Sequence, residues 1–114
     1  MAKLTKANQS LSPAAEKALF QLGSRVRRAR IARRWTLADL SERMFVTPAT
    51  VRRLELGHPG TSLGVLVTAL SIFGLTSDLD RLAALDSDRI ASMRAEEYQP
   101  KRVRTRNPTV SLDF

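Results

Sequence analysis

The sequence of 114 residues predicts an all-α fold, and three observations lead to this prediction. Apolar residues recur every three or four positions through most of the chain, which is the spacing of a helix that packs on one side. Helix-start and helix-stop signals divide this pattern into short segments. No segment alternates polar and apolar residues in the way that a half-buried strand does.

The first predicted helix begins at Pro13 and ends near Arg34. Ser12 suits the N-cap, and proline is favoured at the first helical position because an N–H would have no partner there. The apolar stripe of this helix comprises Leu19, Leu22, Val26 and Ala29. Residues 1–12 are polar and show no periodicity, and we expect them to form a flexible N-terminal arm.

The second predicted helix follows a strong start signal. Thr36 can cap the helix, and Asp39 three residues later favours the positive end of the helix dipole. Trp35 precedes the cap and can pack against Leu40 as a hydrophobic staple. The apolar residues of this short amphipathic helix are Leu37, Leu40 and Met44.

The third predicted helix repeats the same signal. Val46, Thr47 and Pro48 place an apolar residue, an N-cap and a helix-starting proline in order. Gly57 is expected to end the helix. The residues expected to face inward are Thr50, Val51 and Leu54. Because only a few residues join it to the preceding helix, the pair fits a tight helix–turn–helix.

Two further helices and a weaker segment are predicted beyond this pair. The fourth helix is capped by Thr61 or Ser62 and ends at Gly74, and its buried stripe comprises Leu63, Leu66, Val67, Leu70 and Phe73. A fifth helix is expected to begin at Ser77 and to carry Leu79, Leu82 and Leu85. A last helical segment covers residues 88–97, and the remaining tail reads as extended.

The charge of the chain is strongly segregated. Nineteen Lys and Arg exceed eleven Asp and Glu, which gives a net charge of +8. Residues 25–53 hold nine arginines against two acids and carry +7, whereas residues 54–97 carry −4 and residues 98–114 carry +3. Such a basic region is typical of a domain that binds a polyanion, and the arginine fork matches phosphate and guanine edges.

Several classes of function are not favoured by the sequence. It has no cysteine and a single histidine, His58, so neither a cysteine-ligated metal nor a mechanism with two imidazoles is expected. No phosphate-binding loop or nucleophile–base set is present, and we expect neither an enzyme nor a cofactor. The longest apolar stretch, residues 64–75, falls short of a membrane span. No secretory signal is visible, and a cytoplasmic, nucleoid-associated location is expected.

A series of spaced residues resembles the Xre/Cro-type helix-turn-helix family. The matching residues are Leu22, Gly23, Val26, Arg27, Arg30, Thr36, Leu40, Ser41, Val46, Thr47, Thr50, Val51, Leu54, Glu55 and Gly57. The resemblance covers residues 15–75. It implies a five-helix lambda-repressor-like domain that binds double-stranded operator DNA, usually as a two-fold homodimer.

Three positions depart from the family's pattern. Arg34 and Phe45 stand where the family usually has a glycine in the left-handed backbone region, at a cost of order 1 kcal/mol. Leu37 stands where the family often has a DNA-contacting glutamine. The resemblance therefore does not extend to a contact from the side chain at position 37.

A helix in the major groove reads bases with its N-terminal residues, while the preceding helix crosses the backbone. The side chains expected to contact DNA are Arg34, Thr36, Arg43, Thr47, Pro48, Ala49, Arg52 and Arg53. Arg52 is expected to contact a base, Ala49 to touch a thymine methyl, and Thr47 to bond a phosphate. Arg34, Thr36 and Arg43 are expected to contact the DNA backbone. A structural role, an ion pair with Glu55, is expected for Arg27 and Arg30.

A second resemblance concerns the end of the chain. Residues 79–85 and 100–104 are similar to HipB-like antitoxins, which are encoded beside HipA-type Ser/Thr kinase toxins. This implies a repressor of its own operon that binds or neutralises the toxin. The residues expected to contact a toxin or a second copy are Leu79, Leu82, Leu85, Lys101, Arg102 and Arg104. The alternatives are a stand-alone Xre-family repressor and a helix-turn-helix protein-interaction module that does not read DNA.

These observations divide the chain into three parts. Residues 1–12 form the N-terminal arm, and residues 13–86 form the DNA-binding domain. Residues 87–114 form a C-terminal helical extension followed by a basic tail.

Overall fold

The structure, a computed structural model, describes residues 11–98, and these residues are helical without a strand. The α-helices are α1 Pro13–Ala32, α2 Leu37–Met44, α3 Pro48–Glu55, α4 Leu63–Phe73, α5 Arg89–Met93 and α6 Ala95–Tyr98. Two 3₁₀ helices, Thr76–Arg81 and Leu85–Ser87, lie between α4 and α5. The all-α prediction is confirmed. Most of the predicted arm and the whole basic tail, with Lys101, Arg102 and Arg104, lie outside the described residues.

Each of the four longer helices directly follows a capping residue that the sequence predicts, and for α4 the cap is Ser62 rather than Thr61. The side-chain oxygens of these caps accept backbone N–H groups three residues later, over distances from 2.9 to 3.2 Å. The caps are Ser12, Thr36, Thr47 and Ser62. At the other ends, Gly57 and Gly74 have φ angles of 74° and 77°, which is the left-handed conformation that ends helices.

The connections on either side of α2 each contain a non-glycine residue in the left-handed conformation. Arg34 follows α1 with a φ of 61°, and Phe45 follows α2 with a φ of 59°. These are the two positions at which the family resemblance implied a left-handed backbone, and that expectation is confirmed.

The core lies among the first four helices. Its buried residues come from all four and comprise Val26, Leu40, Met44, Val51, Leu54, Ala69 and Phe73. The side chains of Leu40 and Val51 are fully buried. Helix α3 packs against α1 and α2, and α4 packs against the same two helices. Because α3 is held on two sides, its remaining surface has a defined orientation.

Helix α1 approaches the end of α3 closely at Gly23. A Cβ atom at this position would lie 2.5 Å from the backbone oxygen of Glu55 and 2.7 Å from the backbone nitrogen of Gly57. These distances are shorter than real Cβ contacts. Glycine at position 23 therefore sets the separation between α1 and α3.

The region after α4 differs from the prediction. In place of a fifth α-helix from Ser77, the chain forms the two 3₁₀ helices, with Ala83 between them at a φ of 54°. Leu82 and Leu85 are exposed. A short α-helix is marginal unless it buries an apolar face, and here these leucines bury little. The last predicted segment forms α5 and α6, and Asp88 caps α5 through the N–H of Ala91.

The chain divides into two compact units, with the boundary between Asp78 and Leu79. Helices α1 to α4 belong to the first unit, and α5 and α6 belong to the second. Within residues 11–98, no helix is long and apolar enough to cross a membrane.

Candidate nucleic-acid interface

Helix α3 presents one buried face and one exposed face. Val51, Leu54 and Glu55 are buried. On the other side, an i, i+4 spacing places Pro48 with Arg52 and Ala49 with Arg53, and all four residues are exposed. The structure therefore brings the four predicted residues of α3 to one surface. Their individual contacts with DNA stay predictions.

The hydroxyl of Thr47 is part of the α3 cap. Its Oγ1 accepts the backbone N–H of Thr50 at 3.2 Å and lies 3.0 Å from Thr50 Oγ1. If Thr50 donates the hydrogen between these two oxygens, the hydroxyl hydrogen of Thr47 is available to an acceptor outside the protein. The exposed Thr47 side chain can thus cap the helix and donate to a phosphate at the same time.

Thr36 and Asp39 form a reciprocal capping box at the start of α2. The Thr36 N–H donates to Asp39 Oδ2 at 2.8 Å, and the Asp39 N–H donates to Thr36 Oγ1 at 2.9 Å. The hydrogen bond from the Thr36 N–H lowers the pKa of the Asp39 carboxyl, and hydrogen bonding with the Thr36 side chain and the charge of Arg43 act in the same direction.

Arg43 stacks on an aromatic platform while remaining exposed. Its guanidinium lies 4.2 Å from the centroid of the Trp35 ring. Trp35 in turn stacks on Phe73, with ring centroids 6.1 Å apart, and Arg33 covers Phe73 at 4.7 Å. Stacking restricts the orientation of the Arg43 side chain before any ligand arrives. Sequence reasoning predicted Arg43 as a backbone contact but missed this platform, because the residues involved belong to separate helices and connections.

Arg33 is held by the protein itself. Its guanidinium donates to the backbone oxygens of Ala29 at 2.8 Å and of Phe73 at 3.0 Å. It joins the end of α1 to the end of α4. Arg34, the next residue, is exposed, and its backbone N–H donates to Ile31 O at 2.8 Å.

Arg30 and Glu55 form a buried ion pair behind the exposed face of α3. Arg30 Nε lies 2.6 Å from Glu55 Oε2, and Nη2 lies 3.0 Å from Oε1. Nη1 donates to the backbone oxygen of Trp35 at 2.8 Å. The hydrogen bond with Glu55 raises the pKa of Arg30 above its ordinary value. The pair ties α3 to α1 and to the beginning of α2. The prediction of an ion pair is therefore confirmed for Arg30 and wrong for Arg27, which is exposed.

The sequence profile of a family described as a helix-turn-helix domain matches residues 21–85. The chain belongs to this helix-turn-helix family. Neither a curated protein nor a solved structure matches the chain. The match supports the resemblance to Xre-like regulators, a class of DNA-binding proteins.

The helix-turn-helix domain concentrates positive charge on its surface. Eight of the nine arginines in residues 25–53 are exposed, and Arg30 is the exception. The only acidic residues in that range are Asp39 and Glu42. Because Arg30 and Glu55 are buried as a neutral pair, the exposed basic side chains on or next to α2 and α3 are Arg33, Arg34, Arg43, Arg52 and Arg53. This surface attracts a polyanion.

Three leucines of the second unit are predicted to contact a partner, and they differ in how far they are exposed to solvent. Leu82 and Leu85 are 64% and 54% exposed, and Leu79 is half-buried. These exposures describe the leucines without identifying a partner. His58, expected to be a turn residue, accepts the backbone N–H of Gly60 through Nδ1 at 2.8 Å. Within residues 11–98, no group of three His, Asp or Glu side chains could hold a metal ion.

Proposed function

We propose that this helix-turn-helix protein is a sequence-specific, DNA-binding transcriptional repressor. It acts by binding DNA and not by catalysing a reaction, and its location is the cytoplasm, at the nucleoid. The observation that carries the proposal is the exposed face of α3. Pro48, Ala49, Arg52 and Arg53 share that face, while buried residues hold the opposite side of the helix. A rigid helix with exposed arginines and small residues suits entry into a major groove.

The proposed binding mode assigns different tasks to the two helices. Helix α3 lies in the major groove, where Arg52 contacts a guanine and Ala49 contacts a thymine methyl. Helix α2 lies against the backbone, where Thr36 before its first residue and Arg43 in its last turn contact phosphates and fix the register of α3. The stacking of Arg43 on Trp35 supports this assignment because it orients the guanidinium beforehand.

The test of this function is a binding measurement on DNA that the protein itself selects. Sheared genomic DNA retained by the full chain is sequenced, and affinity for the enriched site is compared with affinity for random duplex over a range of salt concentrations. Phosphate contacts give a log–log slope of about −0.9 per neutralised phosphate, and base reading gives a gap between the two duplexes. No enrichment and no salt dependence would favour the protein-interaction module instead.

The finer proposal is that the protein is the antitoxin of a HipA-type kinase toxin. Its support is the resemblance of residues 79–85 and 100–104 to HipB-like antitoxins. A neighbouring gene for a kinase-like toxin, and co-purification of the two full-length proteins, are the expected observations. Alanine at Lys101, Arg102 and Arg104 together should weaken that complex. An unrelated neighbour and no co-purification would favour a stand-alone Xre-family repressor.

A further inference from the structure

Phe45 occupies a position that the fold does not explain. Its φ of 59° lies in the left-handed region, where a side chain costs free energy that a glycine avoids. Its side chain is 94% exposed, and it is absent from the residues that pack against the core. Trp35 and Phe73, by contrast, are aromatic residues that pack within the helix-turn-helix domain. Phe45 thus adds backbone strain and an exposed ring without stabilising contacts in return.

The location of Phe45 suggests what the ring contacts. It forms the turn between α2 and α3, where its N–H donates to Glu42 O at 3.3 Å. Exposed Arg43 precedes it by two residues, and the exposed cap Thr47 follows it by two. The turn therefore lies between the two elements that the proposed function places on the DNA backbone and in the major groove.

We propose that Phe45 is a DNA-contacting residue whose ring packs on the C5-methyl group of a thymine at the edge of the major groove, an inference that rests on the proposed function. A phenyl ring offers no hydrogen bond to a phosphate. In the major groove, the apolar group that a base pair presents is the thymine methyl. Covering the ring and the methyl together removes apolar surface of both from water.

The first experiment separates a binding role from a folding role. Phe45→Gly removes the ring and relieves the left-handed strain, so its melting temperature should equal or exceed that of the wild type. Its affinity for the selected operator should nevertheless fall about three- to tenfold, the range for losing a small apolar contact. Phe20→Ala is the matched control: it removes another exposed phenyl ring, 60% exposed on α1 and outside the proposed DNA surface, and it should leave operator affinity unchanged.

The second experiment identifies the group contacted. Thymines of the operator are replaced one at a time by deoxyuridine, which lacks only the methyl group. At one thymine of each half-site, loss of the methyl group should lower the operator affinity of the wild type and leave that of Phe45→Gly unchanged. The thymine contacted by Ala49 should keep its effect in both proteins.

Three results would overturn the inference and leave the proposed function standing. In the first, the wild type selects an operator, but every thymine methyl that affects its affinity also affects the affinity of Phe45→Gly. In the second, Phe45→Gly loses affinity equally on thymine and deoxyuridine duplexes. In the third, Phe45→Gly loses binding to a protein partner and keeps full operator affinity. A wild type without any sequence preference overturns the proposed function itself, and the inference with it.

Discussion

Individual arginines of this protein have three different physical environments. Arg30 is buried in an ion pair, Arg43 is exposed but stacked on a tryptophan, and Arg52 is exposed on the outer face of α3. Arg30 therefore has a structural role, the side chain of Arg43 is held in one orientation, and that of Arg52 extends into solvent. This difference leads to distinct expectations for each substitution.

Arg52→Ala should reduce operator affinity by about 1–3 kcal/mol and relax the preference at one base position. Arg43→Ala is the comparison, since loss of a phosphate contact weakens binding to all sequences alike. Both variants are measured on a library with single-base changes in the operator. Equal losses on operator and random DNA for Arg52→Ala would remove Arg52 from base reading.

Glu55→Ala should destabilise the domain by about 3–5 kcal/mol, because it leaves the Arg30 guanidinium buried without its counter-charge. The side chains of Arg30 and Glu55 are only 10% and 5% exposed. Urea unfolding followed by circular dichroism measures the change. Arg27→Ala is the control: Arg27 is exposed on α1, the helix that carries Arg30, and the change in stability should stay within about 0.5 kcal/mol. A similarly small loss for Glu55→Ala would show that the pair does not hold α3.

At the scale of the elements, the helix starts and one close contact between helices determine how α2 and α3 are presented. The caps orient each helix locally, and the Gly23 approach sets how near α1 comes to α3. Both features can be tested by measurements of stability on variants at Gly23 and Asp39, which are not among the proposed DNA contacts.

Gly23→Ala should destabilise the domain by about 1–3 kcal/mol, because the added Cβ would overlap backbone atoms of Glu55 and Gly57 and force the helices apart. Gly64→Ala is the matched control. It lies within α4, where the nearest atom to an added Cβ is Ser62 Oγ at 3.9 Å, so alanine should stabilise the helix by up to about 1 kcal/mol. Thermal unfolding compares the two, and equal effects would exclude a steric role for Gly23.

The capping box of α2 should make stability depend on acidity. The pKa of Asp39 is lower in the folded protein than in the unfolded chain, so the unfolded chain takes up the proton first as the pH falls. The stabilisation from this carboxylate is complete above the unfolded pKa, near 3.9, and is lost as the pH drops through the folded value. Asp39→Asn should flatten this part of the pH profile of urea unfolding. Identical slopes for the two proteins would contradict the shift.

At the scale of the whole molecule, the charge is divided by sequence region. Residues 25–53 carry +7, and residues 54–97 carry −4. The positive region contains α2 and the exposed residues Pro48, Ala49, Arg52 and Arg53 of α3, so attraction to DNA and the proposed reading surface coincide. The negatively charged region, residues 54–97, extends into the second unit, whose proposed role is to bind a protein partner.

Footprinting of the full chain on its operator should reveal two half-sites about one helical turn apart, about 34–36 Å, as expected of a two-fold homodimer. The sequences of the half-sites should be related by an approximate palindrome. Analytical ultracentrifugation of the free and DNA-bound protein gives the number of copies. A single unpaired half-site with one copy bound would contradict the proposed homodimer.

Much of the helix-turn-helix domain follows from local signals in the sequence. Ser12, Thr36 and Thr47 are recognisable as caps because a cap satisfies backbone groups only three residues away. For α4 the sequence allows Thr61 or Ser62, and the structure shows Ser62. The inward positions Val51 and Leu54 followed from apolar spacing. The segment after Gly74 could not be predicted in this way. Its leucines have helical spacing, but Leu82 and Leu85 remain exposed and the segment forms 3₁₀ helices instead of an α-helix.

The sequence by itself determined where α1 to α4 begin and which side of α3 faces inward, because caps and apolar periodicity act within one or two turns of chain. Only the tertiary structure decided that Arg30, and not Arg27, pairs with Glu55, that Trp35 supports Arg43, and that Phe45 is left exposed. These outcomes depend on how separate helices approach one another. The packing of α1 against α3 at Gly23, for example, determines that Arg30 and not Arg27 comes within reach of Glu55.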